Sequence, residues 1–258
     1  MVAQSALGAR PGWRAGPRTL ARLLLGLALF GAGEALLIGS RLGNSPWSVL
    51  SQGVARHTPL SVGVATIILS FVVLLAWIPL RQRPGLGTMC NAVLVGVFLD
   101  LTLDVLPDRA GIGWRAAMIP TGILAEAVGS GLYLRTGLGP GPRDGLMAGL
   151  HRRTGRSVRA VRGTIEVSVV VVGWLLGGTV GIGTLAFALS IGPAVQIALG
   201  APPTMGRDGG RHRIRPGQGR GRRAAAAGDL VQARAPRPDD PVRPQRRRED
   251  DAAADAGR

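Results

Sequence analysis

The sequence has 258 residues, 46% of them hydrophobic, and it carries a formal net charge of +16 without a single lysine. Residues 19–200 are apolar and rich in glycine, whereas residues 205–258 are rich in Arg, Pro, Ala and Asp. A high positive charge is typical of nucleic-acid-binding proteins, but these arginines lie in the tail and beside apolar segments, where membrane topology accounts for them better. We therefore expect no nucleic-acid partner. The lone Cys90 excludes an internal disulfide and a metal site built from cysteines.

Six apolar segments are each long enough to cross a bilayer, which takes about 20 residues. They cover residues 20–38, 62–80, 86–106, 116–134, 160–176 and 183–200. The first follows several arginines, as in a signal peptide, but no small-residue cleavage site leads into a soluble domain, so a signal anchor is favoured. The predicted fold class is an all-α membrane protein with about six transmembrane helices. A disordered C-terminal tail follows, because residues 205–258 hold too few apolar side chains to form a core.

The arginines are concentrated in alternate loops. They are frequent in the N-terminus, at 81–85 and at 135–162, and sparse in the loops between. Because positively charged loops remain in the cytoplasm, both termini are predicted to be cytoplasmic, in the inner membrane of a bacterium. The predicted organisation is a basic N-terminus at 1–18, a first membrane repeat at 19–106, a second at 107–204 and the tail at 205–258.

The chain aligns with itself, without a gap, at an offset of 96 residues. Identical pairs include Gly33/Gly129, Gly43/Gly139, Pro46/Pro142, Arg56/Arg152, Thr58/Thr154 and Ser61/Ser157. Shared Gly, Pro, Ser and Thr mark turns and helix ends rather than general apolarity. Each copy contains three predicted spans, and an odd number means that the second copy enters the membrane from the opposite side. The sequence therefore predicts two inverted three-helix repeats, as in inverted-repeat transporters.

Each copy also contains a turn element that begins a short helix. The candidate turn residues are Gly43, Pro46 and Trp47 in the first copy and Gly139, Pro142, Arg143 and Asp144 in the second. Proline suits the first position of a helix, and Ser or Asp in the first turn satisfies free backbone N–H groups, so helices are predicted over Pro46–Arg56 and Pro142–Arg153. They are either capped connectors at the membrane interface or half-helices whose N-termini face an anionic solute.

These motifs support a family resemblance. The Gly-x-x-Pro-Trp pattern at 43–47, the segment 72–88 and the segment 137–147 resemble the YczE-like bacterial membrane proteins, which are distant relatives of the YitT group. The resemblance covers residues 19–200 and implies a membrane fold, but no substrate. Members of that family usually carry Asp after the Pro-Trp pair, where this chain has Ser48. Any charge-dependent role of the turns would therefore rest on Asp144.

Ionisable residues inside predicted spans are the remaining candidates, because burying a charge in a membrane is costly. Glu34, Asp100 and Glu126 are the candidate polar pathway, with pairing inside the helix bundle as the alternative. Glu166 lies four residues after Arg162, a spacing that favours an ion pair on one helix face.

These features favour a polytopic membrane protein that acts as a small-solute transporter or permease. The alternative is a non-transporting scaffold or regulator that contacts a cytoplasmic complex through the basic 135–162 loop. We expect no enzymatic activity and no cofactor, since no phosphate-binding motif, metal-ligand spacing or nucleophile set is evident. The expected partners are the lipid bilayer, a small solute with an anion favoured, and a second copy of the chain.

Overall fold

The computed structural model describes residues 12–107 and 111–200, so the predicted tail at 205–258 and most of the N-terminal segment 1–18 lie outside the described residues. Within those two ranges the chain forms eight α-helices. They are α1 (Pro17–Ser40), α2 (Pro46–Arg56), α3 (Val62–Trp77), α4 (Leu86–Leu103), α5 (Ile112–Leu134), α6 (Pro142–Thr154), α7 (Val158–Leu175) and α8 (Ile182–Ala198). The prediction of an all-helical fold is therefore confirmed for the described residues.

The two short helices, α2 and α6, lie where the sequence predicts them. Each begins with a proline at its first turn, and the Oγ of Ser45 accepts a hydrogen bond from the backbone N–H of Ser48 at the start of α2. Gly155 ends α6 in the left-handed conformation, with φ of 67°. Such an end favours glycine, because a side chain there would meet the backbone.

Three helices, α1, α4 and α5, are long and apolar enough to cross a membrane. Two more, α3 and α8, are apolar but have only 16 and 17 residues. Helix α7 has 18 residues and carries three ionisable side chains, Arg159, Arg162 and Glu166. Length and composition thus support a helical membrane protein, with three full-length spans by this measure.

The two halves of the chain have the same order of helices. Helices α2, α3 and α4 begin at residues 46, 62 and 86, and α6, α7 and α8 begin at residues 142, 158 and 182. The offset of 96 residues seen in the sequence is therefore also the offset between helix starts. We call the half that contains α1–α4 the first copy and the half that contains α5–α8 the second copy.

The two copies meet through their first helices, α1 and α5, and glycine makes this contact possible. A Cβ on Gly26 would come within 2.9 Å of the Gly129 carbonyl oxygen, and one on Gly33 within 2.6 Å of the Gly122 carbonyl oxygen. Small residues allow helices in membranes to approach this closely. The later residue of α1 contacts the earlier residue of α5, so the two helices run antiparallel.

The loop before each short helix contacts the other copy. The backbone N–H of Gly183 donates to the carbonyl oxygen of Leu42 at 2.9 Å, and the N–H of Gly87 donates to that of Leu138 at 2.9 Å. These two bonds occupy equivalent positions, since 42 and 138, like 87 and 183, are 96 apart. Each copy therefore completes the helix start of the other. The fold is thus one body in which the turn elements are held between the copies.

Candidate functional site

Glu34 is a fully buried carboxylate on α1 with three side-chain partners. Its Oε2 accepts from the hydroxyl of Ser45 at 2.8 Å and from the hydroxyl of Ser48. Its Oε1 accepts from Nη1 of Arg143 at 2.9 Å. A buried charge is tolerated when it is both paired and hydrogen-bonded, and Glu34 meets both conditions.

Arg143 comes from the second copy, at the start of α6, so this ion pair joins the two copies. Its guanidinium also lies 5.2 Å from the centre of the Trp47 ring. The negative face of an aromatic ring attracts a cation at this separation. The guanidinium is therefore held between a carboxylate of α1 and an indole of α2.

Glu126 of α5 lies beside this pair. A Cβ on Gly33, next to Glu34, would approach the Cβ of Glu126 to 3.1 Å. The Oε2 atom of Glu126 is buried and has no hydrogen-bond partner, and the same holds for Nε1 of Trp47. We call Glu34, Trp47, Ser48, Glu126 and Arg143 the central cluster. It combines one satisfied ion pair with polar atoms that have spare hydrogen-bonding capacity.

One further buried polar atom without a partner is Oδ1 of Asn44, in the loop that leads into α2. These three atoms, on Asn44, Trp47 and Glu126, are the buried side-chain nitrogen and oxygen atoms found unpartnered in the described ranges. Buried polar groups in proteins are nearly always hydrogen-bonded. All three belong to the turn element of α2 or to the carboxylate beside it, so the exceptions are concentrated in one part of the fold.

The second turn element has its own polar contact. The hydroxyl of Tyr133, near the end of α5, donates to Oδ2 of Asp144 at 2.6 Å. Tyr133 is 2% exposed and packs edge-on against Phe30 of α1. This contact joins the start of α6 to the core between α1 and α5.

The chain matches the family of unknown function DUF6198 over residues 17–199. It is 43% identical over 187 residues to an "Uncharacterized protein" of Haemophilus influenzae, covering 72% of this chain and 86% of the relative. It is 33% identical over 176 residues to the "Uncharacterized membrane protein YczE" of Bacillus subtilis, covering 67% and 82%. The chain belongs to the DUF6198 family of YczE-like proteins. No solved structure matches it.

Membership of the DUF6198 family confirms the YczE-like resemblance seen in the sequence. Together with the apolar helices α1, α4 and α5, it identifies the chain as a helical membrane protein. The matched residues end at 199, so they include both turn elements and the central cluster and exclude the tail.

Within this DUF6198 fold, the predicted turn residues are brought to the interface between the copies. Gly43 and Gly139 have φ of 124° and 123°, a region that favours glycine. A Cβ on Gly139 would come within 2.6 Å of the Thr88 hydroxyl. Pro46 and Pro142 are buried at the first turns of α2 and α6. Pro46, Trp47 and Ser48, at the start of α2, are buried inside the protein.

Of the three predicted pathway carboxylates, the structure brings Glu34 and Glu126 together and places Asp100 elsewhere. Asp100 accepts from the hydroxyl of Ser61 at 2.5 Å and from the backbone N–H of Gly63 at 2.7 Å, at the start of α3. These bonds satisfy free N–H and O–H groups at a helix end. A pathway role for Asp100 stays a prediction, and its contacts are those of a helix cap.

Two arginines of the basic 135–162 loop bond to their own chain. Arg152 donates to the Gln82 side chain, and Arg153 donates to the carbonyl oxygen of Pro79 at 2.9 Å. The Arg162–Glu166 pair predicted from its spacing is present, with 2.7 Å between Nε and Oε1. These contacts hold the 135–162 loop and α7 against the rest of the chain.

Sequence reasoning missed the roles of Tyr133 and Asn44. Tyr133 is the only tyrosine of the chain, and a polar aromatic residue at the end of a span was the available signal. Asn44 carries no such signal, because an asparagine beside glycine is expected in any turn. Its burial follows from the contact of this loop with the second copy.

Proposed function

We propose that this protein is a membrane permease for a small anion, and that the solute passes through the central cluster. In this proposal α1, α3, α4, α5, α7 and α8 span the membrane, and the two copies are inverted relative to each other. The antiparallel contact of α1 with α5 supports the inversion, because these helices are equivalent in the two copies. Both termini are proposed to be cytoplasmic, from the distribution of arginines.

The observation that carries the proposal is the grouping of unpartnered buried polar atoms around an ion pair that joins the two copies. Sites between inverted copies, at broken or short helices, are where transporters of this architecture bind their solutes. Trp47 Nε1 offers a donor and Asn44 Oδ1 an acceptor. A solute that bonds to these atoms satisfies groups that the protein leaves unsatisfied.

The charge of Arg143 favours an anion as the solute. Its guanidinium has five N–H donors, and the structure commits one Nη1–H to Glu34. An anion that binds the remaining donors competes with Glu34 for the same positive charge. Glu34 then keeps only its hydrogen bonds from the hydroxyls of Ser45 and Ser48, which both go to its Oε2. This competition would loosen the contact between α1 and α6 when the solute binds, which alternating access requires.

The test is solute-driven current in liposomes that contain the full-length protein, with chloride, phosphate and benzenesulfonate as the probes. We expect a saturable current with at least one probe, and its loss in Arg143→Gln. The matched control is Arg153→Gln, which removes an exposed arginine of the same copy that donates to the carbonyl oxygen of Pro79. We expect this variant to keep at least half of the current.

The proposal is wrong if none of the three probes gives a saturable current with the folded wild-type protein. It is also wrong if Arg143→Gln carries wild-type current. Glu126→Gln provides a second measurement, because it keeps the shape of the side chain and removes its charge. A solute path lined by this carboxylate predicts a changed concentration dependence in that variant.

A further inference from the structure

A pocket of about 410 Å³ lies where α1, α2 and α4 end. Its polar side chains are Arg41, Gln52, Arg56 and Thr179, and its apolar wall includes Ile38, Leu103 and Leu106. Both arginine side chains are exposed, so the pocket is open to solvent. None of these residues belongs to the central cluster.

The polar side chains of this pocket present hydrogen-bond donors. Arg41 and Arg56 form no ion pair with any residue in the two described ranges. The Gln52 amide has a fixed orientation, because its Oε1 accepts from Asn44 Nδ2 at 2.9 Å and from the backbone N–H of Thr179 at 2.7 Å. The Nε2 group of Gln52, with its two N–H donors, is therefore the end left for a ligand.

Backbone carbonyl oxygens at the helix ends around the pocket accept hydrogen bonds from other groups of the protein. The carbonyl oxygen of Ile38 accepts from the N–H of Arg41 at 3.1 Å, and that of Ser40 accepts from Nε of Arg115 at 2.7 Å. At the end of α2, the carbonyl oxygen of Val54 accepts from the N–H of His57 at 3.1 Å. Each of these carbonyl oxygens already accepts one hydrogen bond within the protein, so a ligand meets little competition from them for the guanidinium groups.

The left-handed backbone conformation of Arg41 favours a functional role for its side chain. Arg41 has φ of 55°, in the left-handed region that favours glycine, and the equivalent residue of the second copy is Gly137, with φ of 67°. The same exchange occurs at Arg81 and Gly177, but Arg81 lies in a loop proposed to be cytoplasmic, where positive charge orients the protein. Arg41 lies on the opposite side, where topology gives no reason to place an arginine.

We infer that this pocket binds a small organic anion, a carboxylate or sulfonate carried on an apolar body. Two guanidinium groups, an amide and a hydroxyl bind the charged head, and Ile38, Leu103 and Leu106 contact the body. The assignment of the pocket as the outer end of the solute path rests on the proposed function, whereas the binding itself does not. Gln52 bonds to Asn44, and the next residue, Ser45, bonds to Glu34, so a chain of contacts links the pocket to the central cluster.

The test is calorimetric titration of the full chain in detergent with benzenesulfonate. We expect saturable binding that weakens at least tenfold in Arg41→Gln and in Arg56→Gln. In Gln52→Glu the acceptor for Asn44 and Thr179 is kept while a negative charge replaces the amide donors, so binding should also fall at least tenfold. The matched control is Arg152→Gln, at the position equivalent to Arg56 in the second copy, and it should bind within twofold of wild type.

Three comparison compounds separate the parts of the inference. Sulfate supplies the head without the body, and benzyl alcohol supplies the body without the charge, so each should bind at least tenfold more weakly than benzenesulfonate. A short-chain phosphatidylglycerol tests whether the pocket is a lipid site instead. The inference is overturned if Arg56→Gln binds like wild type, if either partial compound binds as tightly, or if only the lipid binds.

Binding here and transport through the central cluster can fail independently. Calorimetry in detergent needs no gradient and no movement of solute. Binding without current in liposomes would overturn the permease and leave the pocket standing. Current that persists unchanged in Arg41→Gln and Arg56→Gln, without calorimetric binding, would overturn the pocket and leave the permease standing. The unfolding midpoint of each variant, measured alongside, shows whether its fold is intact.

Discussion

The two turn elements occupy equivalent positions in the two copies, but the charged residue is on the long helix in one copy and on the turn in the other. In the first copy the carboxylate is on the long helix, as Glu34, and the hydroxyl is on the turn, as Ser48. In the second copy the hydroxyl is on the long helix, as Tyr133, and the carboxylate is on the turn, as Asp144. Each copy thus keeps one carboxylate–hydroxyl contact between its first and second helices. The kind of contact recurs in both copies, although its long-helix residues, Glu34 and Tyr133, do not occupy equivalent positions.

The packing beside the turns has diverged in the same complementary way. Trp77 at the end of α3 lies against Gly145 and donates its indole N–H to the carbonyl oxygen of Pro142 at 3.0 Å. At the equivalent positions of the other copy, Gly173 of α7 lies directly against Val49. A glycine allows the close contact in both cases, but it is on the turn helix in one, against the Trp77 ring, and on the long helix in the other, against the backbone of Val49 and Leu50. Arg143, at the position equivalent to Trp47, adds a positive charge to the second turn element.

The largest effect is expected from breaking the ion pair between the copies. Arg143→Gln leaves Glu34 buried without its cation, which should lower the free energy of unfolding by roughly 3 kcal/mol. Removing both charges, in the double variant Glu34→Gln with Arg143→Gln, should restore most of that loss. Arg162→Gln, which breaks a partly exposed pair, should cost less than about 1 kcal/mol. Unfolding of the purified protein in detergent measures all three variants, and a double variant no more stable than Arg143→Gln would contradict the buried-charge account.

A somewhat smaller effect should separate the two copies at a glycine. A Cβ on Gly96 would come within 2.4 Å of the Gly63 carbonyl oxygen, whereas one on the equivalent Gly192 meets nothing within 4 Å. Gly96→Ala should therefore cost about 2 kcal/mol, because α3 and α4 must separate. Gly192→Ala should be neutral or slightly stabilising, because alanine favours a helix over glycine. Equal unfolding midpoints for the two variants would show that α3–α4 and α7–α8 pack alike.

The smallest expected difference between two variants concerns the two hydroxyl groups. Tyr133→Phe removes the hydroxyl that donates to Asp144, and a hydrogen bond to a charged group contributes about 2 kcal/mol. Ser48→Ala removes one of several donors to Glu34, which keeps Ser45 and Arg143, so its cost should be about 1 kcal/mol. Unfolding in detergent measures the stability of Tyr133→Phe and of Ser48→Ala. A Ser48→Ala variant that is less stable than Tyr133→Phe would mean that the first turn, not the second, depends more on its hydroxyl.

Much of this architecture could be predicted from the sequence, because it rests on signals that repeat. The starts of α2 and α6 follow from Pro46 and Pro142, and the 96-residue offset in Gly, Ser and Thr anticipates the offset between the helix starts. The Arg162–Glu166 pair follows from spacing along one helix. These features depend on neighbours in the chain, so a single sequence contains them.

The partners within the site could not be predicted in the same way. Glu34 and Arg143 are more than one hundred residues apart, and nothing local in either segment indicates that they meet. Asp100 shows the same limit: like Glu34 and Glu126 it is a carboxylate in an apolar segment, but its bonds go to Ser61 and Gly63 and not to the central cluster. Which carboxylates share a site depends on how α1, α5 and α6 cross, and that arrangement is set by glycine contacts between distant helices.

The paired bonds from Gly183 to Leu42 and from Gly87 to Leu138 bear on how such a protein arose. A shorter ancestor with one copy would have left both backbone groups without partners, which is costly inside a lipid environment. A second molecule of the same kind could supply both partners, so such an ancestor would have worked as a dimer. Fusion of two such genes would have made that obligatory dimer a single chain, and freed each half to acquire residues that its twin lacks.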